Sequence, residues 1–118
     1  MNIEDLRNYC LDFKGVTEEF PFDNKTLVFK VLGKMFALTD VDNFESVNLK
    51  CDPQYALELR ERHQAVREGW HMNKKHWNTV SVHSDLNIQQ IKDLIKHSYD
   101  LVVAKLNKND KNKLANFS

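Results

Sequence analysis

Residues 70–79, WHMNKKHWNT, bring two Trp, two His, two Lys, two Asn, one Met and one Thr into ten positions. A plain hairpin does not need that mixture. Read for chemistry, it suits contact with nucleic acid: Lys74 and Lys75 can meet phosphates, Asn73 and Asn78 can donate and accept at base edges or sugars, and His71 or Trp77 can stack or wedge. A two-stranded ribbon with a basic tip is one way a protein enters a groove. The same residues also have a structural reading. In it Trp77, Thr79 or Val80 turns inward, Lys74 and Lys75 form a solvated turn, and the Asn side chains serve turn geometry.

Other chemistries find less support. His71, His76 and His83 lie in or beside this segment and imidazole suits zinc or iron, but no carboxylate is interleaved between positions 70 and 84, so no metal site is expected. His63 and His97 fall on helices and read as structural. There is no GxSxG elbow, Gly-rich phosphate loop or HExxH, and no Cys-His pair close in sequence, so no catalytic residue is expected and the chain reads as a non-enzyme. Glu18 and Glu19 are neighbours in an extended segment, where successive side chains point to opposite faces; they read as solvated loop charges rather than an acid/base dyad. Cys10 and Cys51 lack CxxC or Cys/His company and read as small core hydrophobes.

The 118 residues carry 17 Lys+Arg against 17 Asp+Glu, which disfavours extensive wrapping of nucleic acid or a membrane-surface role. The distribution is uneven, however. Over 1–24, Glu4, Asp5, Asp12, Glu18, Glu19 and Asp23 face only Arg7 and Lys14, a balance of −4; over 60–77, Arg60, Arg62, Arg67, Lys74 and Lys75 face Glu61 and Glu68, a balance of +3. No apolar run approaches the roughly 20 residues that span a bilayer, and the N-terminus lacks the pattern of a secretory signal, so a cytoplasmic protein without a membrane partner is expected.

The elements that must position these groups follow from periodicity. Ile3, Leu6, Cys10 and Phe13 recur at helical spacing behind Asn2 as N-cap, with Gly15 past the end. Residues 16–24, split by Pro21, read as extended or turning. Then the period becomes two: strands are expected over 26–32, 35–40 and 46–51, the first pair joined by a type II′ turn at Gly33-Lys34. Asp52-Pro53 opens a second helix with Ala56, Leu59, His63 and Val66 inward and Glu58, Arg60, Glu61 and Arg62 in solvent. Residues 66–72 and 76–83 read as a second hairpin turning at 73–75, with Gly69 weakening its first strand. Asp85 or Asn87 caps a last helix over 88–106, its inward face Ile88, Ile91, Ile95, Ser98, Val102 and Leu106. At 1.5 Å per residue it is about 28 Å long, enough to cross a sheet of five strands. Residues 107–118 lose the pattern and read as a mobile tail. The expected fold is α+β in two layers, an antiparallel sheet of about five strands with helices on one face, in the order α-β-β-β-α-β-β-α, as a single domain over 1–106.

The segments EEFPF, TLVFKVLGKMFAL, VNLKCDP, HMNKKHWNTV and SYDLV, in this order across about residues 1–106, resemble the MmcQ/YjbR family of small bacterial proteins. That resemblance implies a CyaY-like (frataxin-like) fold and a "double wing" mode of DNA binding, its wings being the hairpins at Gly33-Lys34 and at 73–75. It picks out Lys50, His71, Asn73, Lys74, Lys75, His76, Trp77 and Asn78, with Ser98 and Tyr99 on the last helix. Arg67-Glu68-Gly69 departs from the family pattern, where many members carry a Pro. The leading expectation is therefore a monomeric DNA-binding protein without a cofactor, weak and salt-sensitive, with Lys34 helping from the first wing. A rival of another class is a small-ligand or protein-interaction domain, with His71, Asn73, Lys74, Trp77 and Tyr99 lining a polar pocket between the second hairpin and the last helix. Frataxin-like iron handling is a third reading, with only a faint acidic segment behind it.

Overall fold

Each helix starts where a side chain takes over an orphan backbone donor. In the computed structural model, which describes residues 1–117, Asn2 Oδ1 accepts from Asp5 N at 2.8 Å while Asp5 returns a bond to Asn2 N, opening α1 (Ile3–Leu11). Asp52 accepts from Tyr55 N ahead of Pro53 in α2 (Pro53–Arg62). Asn87 and Gln90 repeat the reciprocal cap at α3 (Ile88–Ala104). The strands are β1 (Val16–Glu19), β2 (Thr26–Val31), β3 (Lys34–Asp40), β4 (Ser46–Lys50), β5 (Val66–Glu68) and β6 (Trp77–Ser81). They form one antiparallel sheet in the order β1-β2-β3-β4-β6-β5.

The α+β architecture agrees with the expectation, but the sheet has six strands rather than five. The added edge strand is β1, in the segment read as extended or turning. Its pattern is hidden because Glu18 faces the helix layer, where Arg7 of α1 grips it through Nε at 2.8 Å and Nη2 at 2.5 Å. Glu19, on the other face, pairs with Lys30. The two carboxylates do point apart, but from a strand and with partners rather than from a solvated loop. The first turn is also displaced by one residue. Leu32 and Gly33, at φ 46° and 83°, form the loop, the type I′ signature rather than type II′, and Lys34 already pairs with Val31.

Further differences follow from tertiary contacts. His63 ends α2 in an extended conformation instead of adding to its inward stripe, and its Nδ1 lies 3.3 Å from Asp85. Asp85 is no helix cap; it accepts from Gln64 N and Ala65 N, pinning the entry to β5. Ile88 is exposed because it precedes the part of α3 that rests on the sheet. Where a mobile tail was expected, Asn107 caps α4 (Lys108–Ala115), and Leu114 alone of that helix enters the core. One buried residue in a polar eight-residue helix leaves almost no periodic trace.

Helices α1, α2 and α3 cover one face, burying Leu6, Cys10, Ala56, Leu59, Ile91 and Ile95 against Phe29, Val31, Phe36, Val47, Leu49 and Val80. Ser98 of α3 bridges two strands from that side: its Oγ accepts from Lys50 N at 2.9 Å and donates to Phe36 O at 2.5 Å. The opposite face carries no helix, yet Val28, Leu38 and Trp77 are buried there under the partly buried Met35 and Met72. No helix is long and apolar enough to cross a membrane among the described residues.

Candidate functional site

The chemistry-rich segment forms a loop, not a hairpin with a three-residue tip. β5 stops at Glu68 and β6 starts at Trp77, leaving the eight residues 69–76 to connect them. Gly69 explains the early stop: a Cβ there would lie 2.8 Å from Trp77 Cβ and 3.0 Å from Trp77 O, so the two strands approach too closely for any side chain. The chain then reverses with His71 at φ 57°, a left-handed conformation uncommon for residues other than Gly and adopted more often by Asn, Asp and His than by the rest.

Two sets of hydrogen bonds hold this loop. On the helix side, Arg60 of α2 donates from Nε to Asn78 Oδ1 at 2.7 Å, and its Nη2 reaches Trp77 O at 3.3 Å and, over a short contact, Lys74 O. On the open face, Thr79 Oγ1 donates to Asn48 Oδ1 at 2.6 Å and accepts from Trp70 N at 2.9 Å, while Asn48 Nδ2 donates to Trp70 O at 3.4 Å. Both backbone groups of Trp70 are thereby clamped, yet its ring is 70% exposed. Sequence reasoning places Arg60 in solvent and gives Asn48 no role. Their partners lie 18 and 31 residues away, a separation no local pattern reports.

The expected contact residues divide accordingly. Lys34, His71, Lys74 and Lys75 are exposed. Lys74 Nζ lies 3.4 Å from Gly69 O and 3.9 Å from Glu68, so it is partly engaged. Lys50 and His76 are half-buried; burial first, and the like charge of Lys105 second, push the Lys50 ammonium below its ordinary range. Asn73 spends its Oδ1 on Lys75 N and His76 N, turning the chain at 74–76 rather than presenting an acceptor. Trp77 is only 8% exposed and Asn78 1%, so neither can stack on or hydrogen-bond to DNA. They are inside because β6 is a central strand, walled by β4 and β5 at its sides and by Arg60 and Met72 above and below.

The pocket expected between the second hairpin and α3 does not form. Tyr99 sits under α1, its ring stacked on Phe13 at 4.6 Å and its hydroxyl donating to Lys14 O at 2.7 Å. Between β6 and α3 there is a void of about 10 Å³ beside Asn78 and His97, scarcely the space of one water. Asn78 Nδ2, buried there, has no hydrogen-bond partner among the described residues. No group of three or more His, Cys, Asp or Glu side chains could hold a metal among the described residues. Both thiols are buried and pushed up to about 12, chiefly by burial, in keeping with core packing.

A large concavity lies instead on the helix-free face. It measures about 1180 Å³ and runs from Phe22, Asp23 and Asp40 to Trp70, His71 and Lys74, across Met35, Leu38, Asn48 and Thr79. Four carboxylates line it (Asp23, Asp40, Glu45 and Glu68) against Arg67 and Lys74. Backbone donors of Thr26 and Lys25 hold the Asp23 carboxyl below the usual carboxylate range. The lysines belong to one end of the sheet: register pairs Lys34 with Val31 at the β2–β3 turn and Lys50 with Trp77 where loop 69–76 joins β6. Only β4 separates β3 from β6, so the two hairpin ends stand two strand spacings apart, about 10 Å.

The YjbR family model matches residues 11–101, which contain the whole sheet, α2 and most of α3. The uncharacterized protein YjbR of Escherichia coli (strain K12) is 36% identical over 104 residues, covering 87% of this chain and 88% of that protein. The uncharacterized protein YbdF of Escherichia coli O157:H7 is 34% identical over 112 residues, 94% of this chain and 92% of that protein. Among solved structures, the crystal structure of Deinococcus radiodurans protein DR2400, a DUF419 domain, matches with a TM-score of 0.90 at 40% identity, covering 97% of this chain and 88% of that one.

Proposed function

From the premise that the chain belongs to the YjbR family, we propose that it is a non-enzymatic DNA-binding module, acting as a cytoplasmic monomer through one end of its sheet. Lys34 from the first hairpin and Lys74 and Lys75 from loop 69–76 meet phosphates, and His71 contacts base or sugar beside them. The observation that carries this reading is the shared end: antiparallel pairing through β4 sets the β2–β3 turn that bears Lys34 and the start of β6 that follows Lys74 and Lys75 two strand spacings apart, with all three lysines exposed. Trp77 and Asn78 serve it indirectly, by fixing the loop that presents Lys74 and Lys75.

Net neutrality limits the mode of binding. With three lysines at the site and a whole-chain charge of zero, affinity rests on a few phosphate contacts and falls steeply with salt. Fluorescence anisotropy with duplex DNA at several salt concentrations tests this. Three neutralised phosphates give a slope of log K against log[salt] of about −2.7. Lys74→Glu with Lys75→Glu should abolish binding at low salt, and Lys34→Glu should reduce the slope by about one contact. Absence of binding at low salt, or binding indifferent to the charge reversals, overturns the reading.

A further inference from the structure

The concavity on the open face meets the lysine-bearing end at His71 and Lys74 but is otherwise apolar and acidic, and we propose that it is a docking groove for a basic, amphipathic helical segment of a partner protein. Its apolar content is high for a solvent-facing surface: Met35, Leu38 and Met72 form the floor, with Trp70 (70% exposed) and Phe22 (65% exposed) at opposite ends. Large exposed aromatics around a Met-lined hollow are characteristic of adaptable protein-binding surfaces. Trp70 is also preorganised. Asn48 and Thr79 fix both of its backbone groups and the His71 ring packs edge-on against its indole at 4.4 Å, so little conformational entropy remains to be lost when a partner packs on the part left exposed.

Charge and size select the occupant. Lys74 lies within 3.9 Å of Glu68, which leaves Asp23, Asp40 and Glu45 against Arg67 among the charged side chains of the lining; a polyanion is disfavoured and a cationic partner favoured. At about 1180 Å³ and open to solvent, the hollow exceeds the roughly 300–1,000 Å³ of ordinary small-ligand sites. A sheet face with its own buried apolar cluster is most economically closed by a helix, as α1 to α3 close the other side. A helix with apolar residues at i, i+3, i+4 and i+7 and Lys or Arg flanking them matches floor and rim together.

The test is calorimetric titration of the full chain with a synthetic Leu/Lys amphipathic peptide of about four helical turns, beside the same peptide with Glu in place of Lys. Amide chemical shifts locate the site. Binding of the Leu/Lys peptide alone, with shifts confined to 20–26, β3, 43–48 and 67–79, is the expected result. Asp40→Asn with Glu45→Gln should weaken it about tenfold or more, and so should Trp70→Ala. Circular dichroism and melting of these surface variants should match the parent. Equal binding of both peptides, binding of neither, shifts on the helix face, or indifference to the variants would each overturn the proposal. Duplex DNA shifting the lysine-bearing end but not Met35 or Met72 leaves the DNA reading intact whatever the peptide does; DNA seated on Met35 and Met72 overturns the groove.

Discussion

Arg60 Nε donates to Asn78 Oδ1 over 2.7 Å, joining α2 to the start of β6 and capping the loop that carries Lys74 and Lys75. Removing the guanidinium leaves Asn78, already with an unpaired Nδ2, buried without any partner for its Oδ1. Arg60→Ala should lower the unfolding free energy by about 2 kcal/mol in urea titrations and speed amide exchange at Lys75, His76 and Trp77. Arg60→Lys should recover little, because a point ammonium cannot span the three acceptors that the fork reaches.

Ser98 is fully buried and holds α3 to two strands at once, through Lys50 N and Phe36 O. Ser98→Ala removes the acceptor for one and the donor for the other. A loss of about 1–3 kcal/mol is expected in chemical denaturation, the cost of leaving buried backbone groups unpaired. The resemblance to a known family picks out Ser98 and Tyr99; the geometry assigns both to holding the helix layer in place.

Gly69 and Gly33 should respond differently to alanine. At Gly69 the new Cβ meets Trp77 Cβ at 2.8 Å and backbone oxygen at 3.0 Å, so β6 must shift. At Gly33 nothing lies within 4 Å, and the cost is the left-handed backbone alone, about 1–2 kcal/mol. Thermal melting should show Gly69→Ala to be the more destabilised of the two. Only Gly69→Ala should also change the emission of the buried Trp77.

His97 sets an acid limit on stability. Its Nε2 accepts from Asp52 N at 3.2 Å, which requires an unprotonated nitrogen, and burial lowers its pKa from the ordinary 6.5 despite opposing pulls from Asp52 and Asp100. The unfolded chain therefore takes up this proton first. The contribution is intact above about pH 6.5 and declines as pH falls through that value. Melting curves collected from about pH 8 to pH 5 should show the decline, and His97→Gln should flatten it. Glu18 and Asp85, whose pKa values are lowered from 4.5 and 3.8, act in a separate window at lower pH.

The starts of α1, α2 and α3 are legible because each is announced by a side chain within three residues of an apolar-periodic run: Asn2 and Asp5, Asp52 ahead of Pro53, Asn87 and Gln90. Strand alternation in β4 was equally plain, since Val47 and Leu49 face the helices and their neighbours do not. β1 leaves no trace in the sequence because a half-buried Glu18 mimics a loop charge until Arg7 is known to reach it. The sequence reads 66–72 and 76–83 as strands turning at 73–75, whereas the path of 69–76 depends on the Gly69–Trp77 contact and on Arg60.

The candidate site divides in the same way. Composition alone marked 70–79 as unusual, and Lys34, Lys74, Lys75 and His71 do stand exposed. Which residues of that segment are available was decided by burial in a central strand, which removed Trp77 and Asn78 and left Trp70 bare. The concavity has no sequence signature, because Phe22, Met35, Asn48 and Trp70 come from four separate segments. Local order is written in interactions spanning a few residues, so the chain alone determines the caps of α1 to α3, the alternating strands and the α+β class. Which side chains remain free to bind depends on contacts across 18 to 48 residues, such as Arg60 to Asn78 and Lys50 to Ser98, and those exist only once the sheet has closed against its helices.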